Sequence, residues 1–161
     1  MKPSLYIETT IPSFLTGKRS INLILAGKQE VTHQWWQERK HHYDLHISQF
    51  VLDEASQGDP EAAQKRLQVL ADIKMLEVDD ASLKLTKRIL DSRVIPTKSA
   101  TDAAHIAIAS RYGIEFLMTW NCTHSANAEI LSRINYIVSE AGYFLPTICT
   151  PDELFGGHEN D

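Results

Sequence analysis

Cysteine is scarce in this chain, which contains only two cysteines among its 161 residues. Cys122 and Cys149 form no CxxC pair, and the neighbouring Cys122 and His124 lack two of the four ligands that a structural zinc site needs. No charged and apolar leader of the secretory type precedes the first strand-like segment. We therefore expect a cytoplasmic protein without a structural zinc site.

Long apolar runs and biased tracts are also missing. No apolar run approaches the roughly 18 residues needed to cross a bilayer, so no membrane span is expected. The composition, 43% hydrophobic and 23% charged, is that of an ordinary globular protein. A chain of this length fits one domain, and we expect a single domain over residues 1–161.

The chain also lacks an excess of basic residues. The chain has 16 Lys and Arg residues against 21 Asp and Glu residues, which gives a formal charge of −5. This balance argues against tight nonspecific binding of nucleic acid through a basic surface. It does not exclude a nuclease, because clustered carboxylates add to the negative count and bound divalent cations would reverse the sign locally.

Five short apolar segments alternate with helical patterns along the chain. The predicted strands cover residues 4–8, 43–48, 75–78, 114–119 and 146–150. The predicted helices cover residues 20–40 with a break near Gly27, 49–57, 59–71, 79–95, 99–113 and 124–142. This order favours an α/β fold with three α/β/α layers around a mostly parallel, roughly five-stranded sheet. Ligands of such sheets bind beyond the carboxyl ends of the strands.

Oxygen-bearing side chains lie close to these strand ends. Glu8 ends the first strand, and Glu54 lies on the helix that follows the second. Asn121 lies just past the fourth strand, and Asp102 opens the helix that leads into it. Three carboxylates and an amide could therefore meet at one edge of the sheet. Hard oxygen ligands of this kind suit Mg²⁺ or Mn²⁺.

The layout of these residues resembles the PIN domain, a nuclease family that includes VapC-type toxins. The matching stretches lie between residues 5 and 154 and read LYIETTIPSFL, SQFVLDEASQGDPEAAQKRL, TDAAHIAIASRYGIEFLMTWNCTHSAN and PTICTPDEL. The resemblance implies a metal-dependent ribonuclease, with Glu8, Glu54, Asp102 and Asn121 as catalytic residues and metal ligands. It also implies an RNA substrate and, for the toxin of a type II pair, an antitoxin protein as partner.

Two of these positions depart from the usual family pattern. Glu8 stands where the family has an aspartate, and Asn121 stands where it has a fourth acid. The site then has three formal negative charges, so a second metal ion should be weakly held. The same two departures motivate an alternative hypothesis, in which the chain is a degenerate scaffold of this family that binds RNA or a protein without cutting.

Four further side chains are candidates for positioning the substrate. Thr9 and Thr119 could bond a metal-bound water or a phosphate oxygen, and His124 and Asn127 could hold the scissile phosphate. An exposed tryptophan in the first long helix would fit a homodimer or a partner peptide.

Structural interpretations of the same residues remain open at this stage. Asp102 fits a capping box with Ser99, and Asn121 could cap the helix that follows it. Glu54 could be an ordinary solvated residue. His105 could pack under the site or reach its edge, and packing is favoured. A thiol-dependent hydrolase that uses Cys122 is the least favoured alternative.

Overall fold

The computed structural model describes residues 1–96, 99–121 and 128–156. Its strands are β1 (Ser4–Ile7), β2 (Asp44–Ser48), β3 (Lys74–Leu76), β4 (Phe116–Met118) and β5 (Thr147–Cys149). The α-helices within these ranges are α1 (Thr10–Thr16), α2 (Leu23–Glu38), α3 (Gln49–Ala55), α4 (Pro60–Leu70), α5 (Asp80–Asp91), α6 (Ala100–Arg111) and α7 (Ala128–Glu140). Short 3₁₀ helices follow α2 and β5, at Lys40–His42 and Pro151–Leu154.

The five strands form one parallel sheet in the order β3-β2-β1-β4-β5. The α/β class and the five-stranded parallel sheet are thereby confirmed. The chain builds outward from β1 through β2 to β3, and then returns to β4 on the other side of β1. The strand order therefore reverses between β1 and β4, and ligands of open α/β sheets bind at such a point, beyond the carboxyl ends.

The central strand is buried because helices cover the sheet. Leu5, Tyr6 and Ile7 have no exposed surface, which is expected of a parallel strand covered on both faces. Helix α6 is almost as deeply buried, since each residue from 103 to 110 is buried. Its alanines let the helix backbone approach its neighbours closely. The two elements that carry Glu8 and His105 thus belong to the most densely packed part of the molecule.

The first helical region differs from the sequence prediction. Residues 10–16, to which the sequence assigned no element, form α1 with Pro12 in its first turn. Proline is tolerated there because the first amides of a helix have no partner within it. The expected break near Gly27 is wrong, because α2 begins at Leu23 and runs through Gly27 without interruption. Asn22 starts α2 by accepting hydrogen bonds from the amides of residues 24 and 25.

The other helices begin close to where the sequence predicted. Asp59 caps α4 through a 3.0 Å bond from the amide of Ala62, and Pro60 occupies the first helical position. Strand β3 is displaced from the predicted 75–78 to 74–76, and β4 and β5 are shorter than predicted. Among the described residues, none of the helices has the length and apolar character required to span a bilayer.

Candidate metal centre

Glu8 lies directly after β1, where its amide donates to the carbonyl of Met118 on the neighbouring strand. Its side chain is held by hydroxyl groups, although the residue is only 6% exposed. Oε2 accepts from Thr10 Oγ1 and from Thr119 Oγ1, at 2.6 Å each. The amide of Thr10 lies 3.1 and 3.2 Å from the two carboxylate oxygens. These donors replace the water that the buried carboxylate has lost.

Glu54 projects from α3, the helix that follows β2. Its Oε1 atom accepts from Thr9 Oγ1 at 2.8 Å and faces His105 Nε2 at 2.5 Å. Partial burial raises the pKa of this carboxyl, but the hydrogen bond and charge of His105 and the bond from Thr9 outweigh it. The pKa of Glu54 is therefore lowered, and the group is an anion at neutral pH.

Three potential ligands converge where β1, α3 and α6 meet. One carboxylate oxygen each from Glu8 and Glu54 and one ring nitrogen of His105 all lie within 4.8 Å of one another. Within the described ranges, this is the one group of at least three acidic, histidine or cysteine side chains that lie so close. It lies beside the point where the strand order reverses, as expected for a ligand site.

A series of buried hydrogen bonds holds the other ring nitrogen of His105. Its Nδ1 atom lies 2.6 Å from the phenol oxygen of Tyr6, which lies 2.7 Å from Ser48 Oγ. Tyr6 and Ser48 have no exposed surface, and His105 is 2% exposed. Burial raises the pKa of Tyr6, the bond to Ser48 opposes this, and the negative charges of Glu8 and Glu54 add to the rise. The phenol is therefore neutral.

Asp102 and Asn121 form a second branch of the site. The side-chain amide of Asn121 donates to Asp102 Oδ1 at 2.9 Å. The backbone amide of Asn121 donates to Thr119 Oγ1, which in turn donates to Glu8. Asp102 is thus joined to Glu8 through two residues, but it stands outside the group whose ligand atoms lie within 4.8 Å.

The capping box considered for Ser99 and Asp102 does not form. Ser99 occupies the position before α6 without a side-chain capping bond. The side-chain amide of Asn121 donates to Asp102, and the residues that Asn121 would cap lie outside the described ranges.

The hydroxyl groups predicted to position a substrate have other partners. Thr9 donates to Glu54, and Thr119 donates to Glu8, so each holds a carboxylate. A direct contact of either threonine with a substrate stays a prediction. His124, Asn127 and Cys122 lie outside the described residues.

Sequence reasoning missed the contribution of Tyr6, Ser48 and His105. It favoured packing of His105 under the site over reach to its edge, whereas the ring contacts Glu54 directly. Tyr6 precedes Glu8 by two positions, and side chains two apart on a strand share a face. That spacing was a usable signal. Nothing in the local sequence marks Ser48, which ends β2.

Comparison with known proteins finds likeness in structure and none in sequence. No known protein-family model matches the chain, and no curated protein sequence matches it at a significant level. A chain of VapBC2 from Rickettsia felis, bound to a DNA fragment from their promoter, matches with 13% identity and a TM-score of 0.57. The match covers 91% of this chain and 97% of that one.

A second match is a chain of FitAcB from Neisseria gonorrhoeae, with 14% identity and a TM-score of 0.54. It covers 93% of this chain and 99% of that one. The chain has the fold of these two proteins. Because the identities are so low, the likeness establishes the fold alone. The chemistry of the site has to be argued from the residues of this chain.

The donor set is suited to a hard divalent cation. Two carboxylates stand close together, and among the described residues neither Glu8 nor Glu54 forms an ion pair with a lysine or arginine. Neighbouring carboxylates repel each other, and a bound cation removes that repulsion. Carboxylate oxygens are the ligands preferred by Mg²⁺ and Mn²⁺. The residues present therefore fit such an ion.

Proposed function

We propose that the chain is a divalent-metal-dependent endoribonuclease of PIN type that acts in the cytoplasm. The observation that carries this proposal is the convergence of Glu8, Glu54 and His105 within 4.8 Å at the carboxyl ends of the central strands. The shared fold with VapBC2 and FitAcB supports it. The reaction is hydrolysis of a phosphodiester bond, which leaves a 5′-phosphate and a 3′-hydroxyl.

Glu8, Glu54, Asp102 and Asn121 are the proposed metal-binding and catalytic residues. When bound, Mg²⁺ or Mn²⁺ supplies a water of lowered pKa and positive charge beside the phosphate. Glu8 and Glu54 hold the ion, and the threonine hydroxyls hold these carboxylates in place. Asp102 adds negative charge at the edge of the site, where the amide of Asn121 orients it. No covalent enzyme intermediate is required.

An aromatic and basic surface beside the site supports RNA as the substrate. The half-buried Trp120 follows β4, and its backbone amide donates to Thr10 Oγ1, the hydroxyl that also holds Glu8. Lys28 Nζ lies 5.3 Å from the centre of the indole ring, and the ring of Phe14 lies 5.8 Å away. The two ring planes are tilted by 41° to each other. Aromatic rings with a nearby cation suit the bases and backbone of single-stranded RNA.

We further propose that the chain is a type II toxin with an antitoxin partner and that it forms a homodimer. The likeness to VapBC2, a complex that was crystallised with promoter DNA, supports the antitoxin. Apolar side chains around the start of α2 are strongly exposed, with Ile21 at 102%, Leu23 at 87% and Ile24 at 73%. Exposed apolar clusters of this kind mark protein interfaces.

Cleavage of a panel of structured RNAs by the purified chain tests the enzymatic proposal. We expect cleavage with Mn²⁺ and none with a chelator. Glu8→Gln and Asp102→Asn should each lower the rate by about 100-fold or more, because stabilisation of charge by a metal ion is worth several kcal/mol. Asp53→Asn is the matched control, since Asp53 is adjacent to Glu54 but bonds Gln49. Cleavage that survives chelation or Asp102→Asn would contradict the proposal.

The alternative is a scaffold of the same fold that binds RNA or a protein without cutting. The replacements at Glu8 and Asn121 motivate it, because they leave one formal charge fewer than the usual family pattern. This alternative predicts RNA retention in a filter-binding assay without cleavage in any divalent metal. Measurable cleavage that Glu8→Gln removes would exclude it.

A further inference from the structure

The contact between His105 and Glu54 determines which of the two can bind a cation. Nε2 and Oε1 are 2.5 Å apart, and two facing lone pairs would repel at this distance, so a proton lies between them. Glu54 is an ionised carboxylate and can only accept, so Nε2 is the donor and carries the proton. A ring nitrogen that carries a proton has no lone pair left for a metal ion.

The other ring nitrogen is also engaged inside the protein. Nδ1 lies 2.6 Å from the phenol oxygen of Tyr6, and that oxygen lies 2.7 Å from Ser48 Oγ. None of these three side chains is more than 2% exposed, so water does not compete for the bonds. The ring of Phe50 also meets that of His105 edge-on, with 6.4 Å between the ring centres. The imidazole is held on three sides.

We propose that His105 is a positioning residue for Glu54 and not a ligand of the ion, with Tyr6 and Ser48 fixing the orientation of its ring. This inference rests on the proposed metal site. Glu54 Oε1 accepts from both Thr9 and His105, whereas Oε2 accepts no hydrogen bond from the described residues. Glu54 therefore offers Oε2 to the ion.

The two carboxylate oxygens of Glu8 also differ in how many hydrogen bonds they accept. Its Oε2 atom accepts two hydroxyl bonds at 2.6 Å, from Thr10 and Thr119. Within the described ranges, Oε1 accepts only from the backbone amide of Thr10, at 3.2 Å. Each carboxylate thus presents one oxygen to the ion. Single-oxygen binding suits the octahedral, partly hydrated Mg²⁺ and Mn²⁺, whereas Ca²⁺ often takes both oxygens of a carboxylate. The site should therefore prefer Mn²⁺ to Ca²⁺.

Titration of the full chain with Mn²⁺ alone, followed by the electron paramagnetic resonance signal of the free ion, tests the positioning role. Tyr6→Phe and His105→Leu should raise the Kd by about 10- to 100-fold, the usual effect of removing support from a metal ligand. His105→Gln should stay within about threefold of the wild type, because its amide nitrogen can replace Nε2. Tyr112→Phe is the control, since that phenol bonds the carbonyl of Glu77 on the surface.

Pulsed electron paramagnetic resonance of the wild-type Mn²⁺ complex separates a positioning residue from a ligand. We expect no directly coordinated ¹⁴N, and competition with Ca²⁺ should require a large excess of Ca²⁺. If His105→Leu does not fold, as judged by circular dichroism, Tyr6→Phe and the wild-type spectrum still decide the question.

Three outcomes would overturn the inference. A ¹⁴N coupling that disappears in His105→Gln would make the histidine a ligand and leave the proposed metal site intact. Wild-type affinity in Tyr6→Phe, or loss in His105→Gln as large as in His105→Leu, would remove the positioning role. A wild-type protein that binds no Mn²⁺ at millimolar concentration would remove the metal site itself, and the inference with it.

Discussion

The side-chain amide of Asn121 donates a hydrogen bond to Asp102 at 2.9 Å, so Asp102 has an uncharged partner there. An aspartate at position 121 would set two carboxylates against each other. A bound cation could neutralise the pair, but the metal-free protein would bear the repulsion. An amide at this position therefore favours the stability of the metal-free protein.

Asn121→Asp should lower the free energy of unfolding of the metal-free protein by about 1–3 kcal/mol, because a hydrogen bond is lost and a like charge is added. Mn²⁺ should then raise the melting temperature more in this variant than in the wild type. Thermal unfolding with chelator and with Mn²⁺ measures both effects. Asn22→Asp is the control, since aspartate caps a helix as well as asparagine does. An equal response to Mn²⁺ in variant and wild type would contradict the prediction.

Thr119→Val should destabilise the protein by about 1–3 kcal/mol and slow cleavage, because buried Glu8 loses one of its hydroxyl donors. The Thr119 hydroxyl also accepts from the backbone amide of Asn121, and this amide would lose its partner in the variant. Denaturant unfolding and single-turnover cleavage measure the two effects. Thr147→Val, an exposed position on β5, should leave both unchanged. A stable and fully active Thr119→Val variant would show that Glu8 does not need this support.

Asp79 should make stability depend on pH in the acidic range. The amide of Ser82 at the start of α5 lowers the pKa of Asp79, burial opposes this, and the guanidinium of Arg111 lowers it further. Because the folded pKa lies below the unfolded one, the stabilisation is complete above pH about 4 and is lost as the pH falls through the folded value.

The difference in unfolding free energy between wild type and Asp79→Asn should therefore shrink as the pH is lowered from 6 to about 3. Asparagine still caps the helix, so the comparison isolates the charge. Asp80→Asn, at the adjacent exposed position, is the control. Its difference in unfolding free energy from the wild type should change much less with pH. If the difference in unfolding free energy stays constant across this pH range, the charge of Asp79 does not stabilise the protein.

Alkylation of the native protein should leave cleavage intact. Burial, with added repulsion from Glu153 and Asp152, raises the pKa of Cys149 to about 12, so this thiol stays protonated and unreactive at pH 8. Mass spectrometry after iodoacetamide treatment should therefore find Cys149 unmodified. Any label then falls on Cys122, and unchanged Mn²⁺-dependent cleavage would exclude a thiol nucleophile there. Inactivation that Cys122→Ser abolishes would favour the hydrolase alternative.

The fold could be predicted because its signals are local. The strand at residues 4–8 and the helix start at Asp59 and Pro60 follow from residue type and periodicity, and the structure places β1 and α4 there. Helix α1 was missed because Pro12 was considered only as a limit to the first strand, whereas it lies in the first turn of the helix. Gly27 was taken for a break, but the free energy that glycine costs in a helix is small beside the packing that α2 gains.

The candidate site was predictable only in part. A carboxylate at the end of a buried strand draws attention to Glu8, because its burial needs compensation. The role of His105 depends on the distance between α6 and α3, which no local pattern encodes. The capping alternative for Ser99 and Asp102 is not realised, and the partner that Asp102 has instead, Asn121, is 19 positions away in the sequence.

By itself, the order of apolar and polar residues determined the alternation of strands and helices, and with it the parallel sheet and the edge at which sheets of this kind bind their ligands. Those properties depend on neighbours along the chain and on general rules of chain connection. Only the tertiary structure decided which oxygen of Glu8 and of Glu54 stays open and which is held by hydroxyl and imidazole donors. Apart from the bond from Thr10 to Glu8, these contacts join residues more than 40 positions apart, and their geometry exists only after the helices have packed on the sheet.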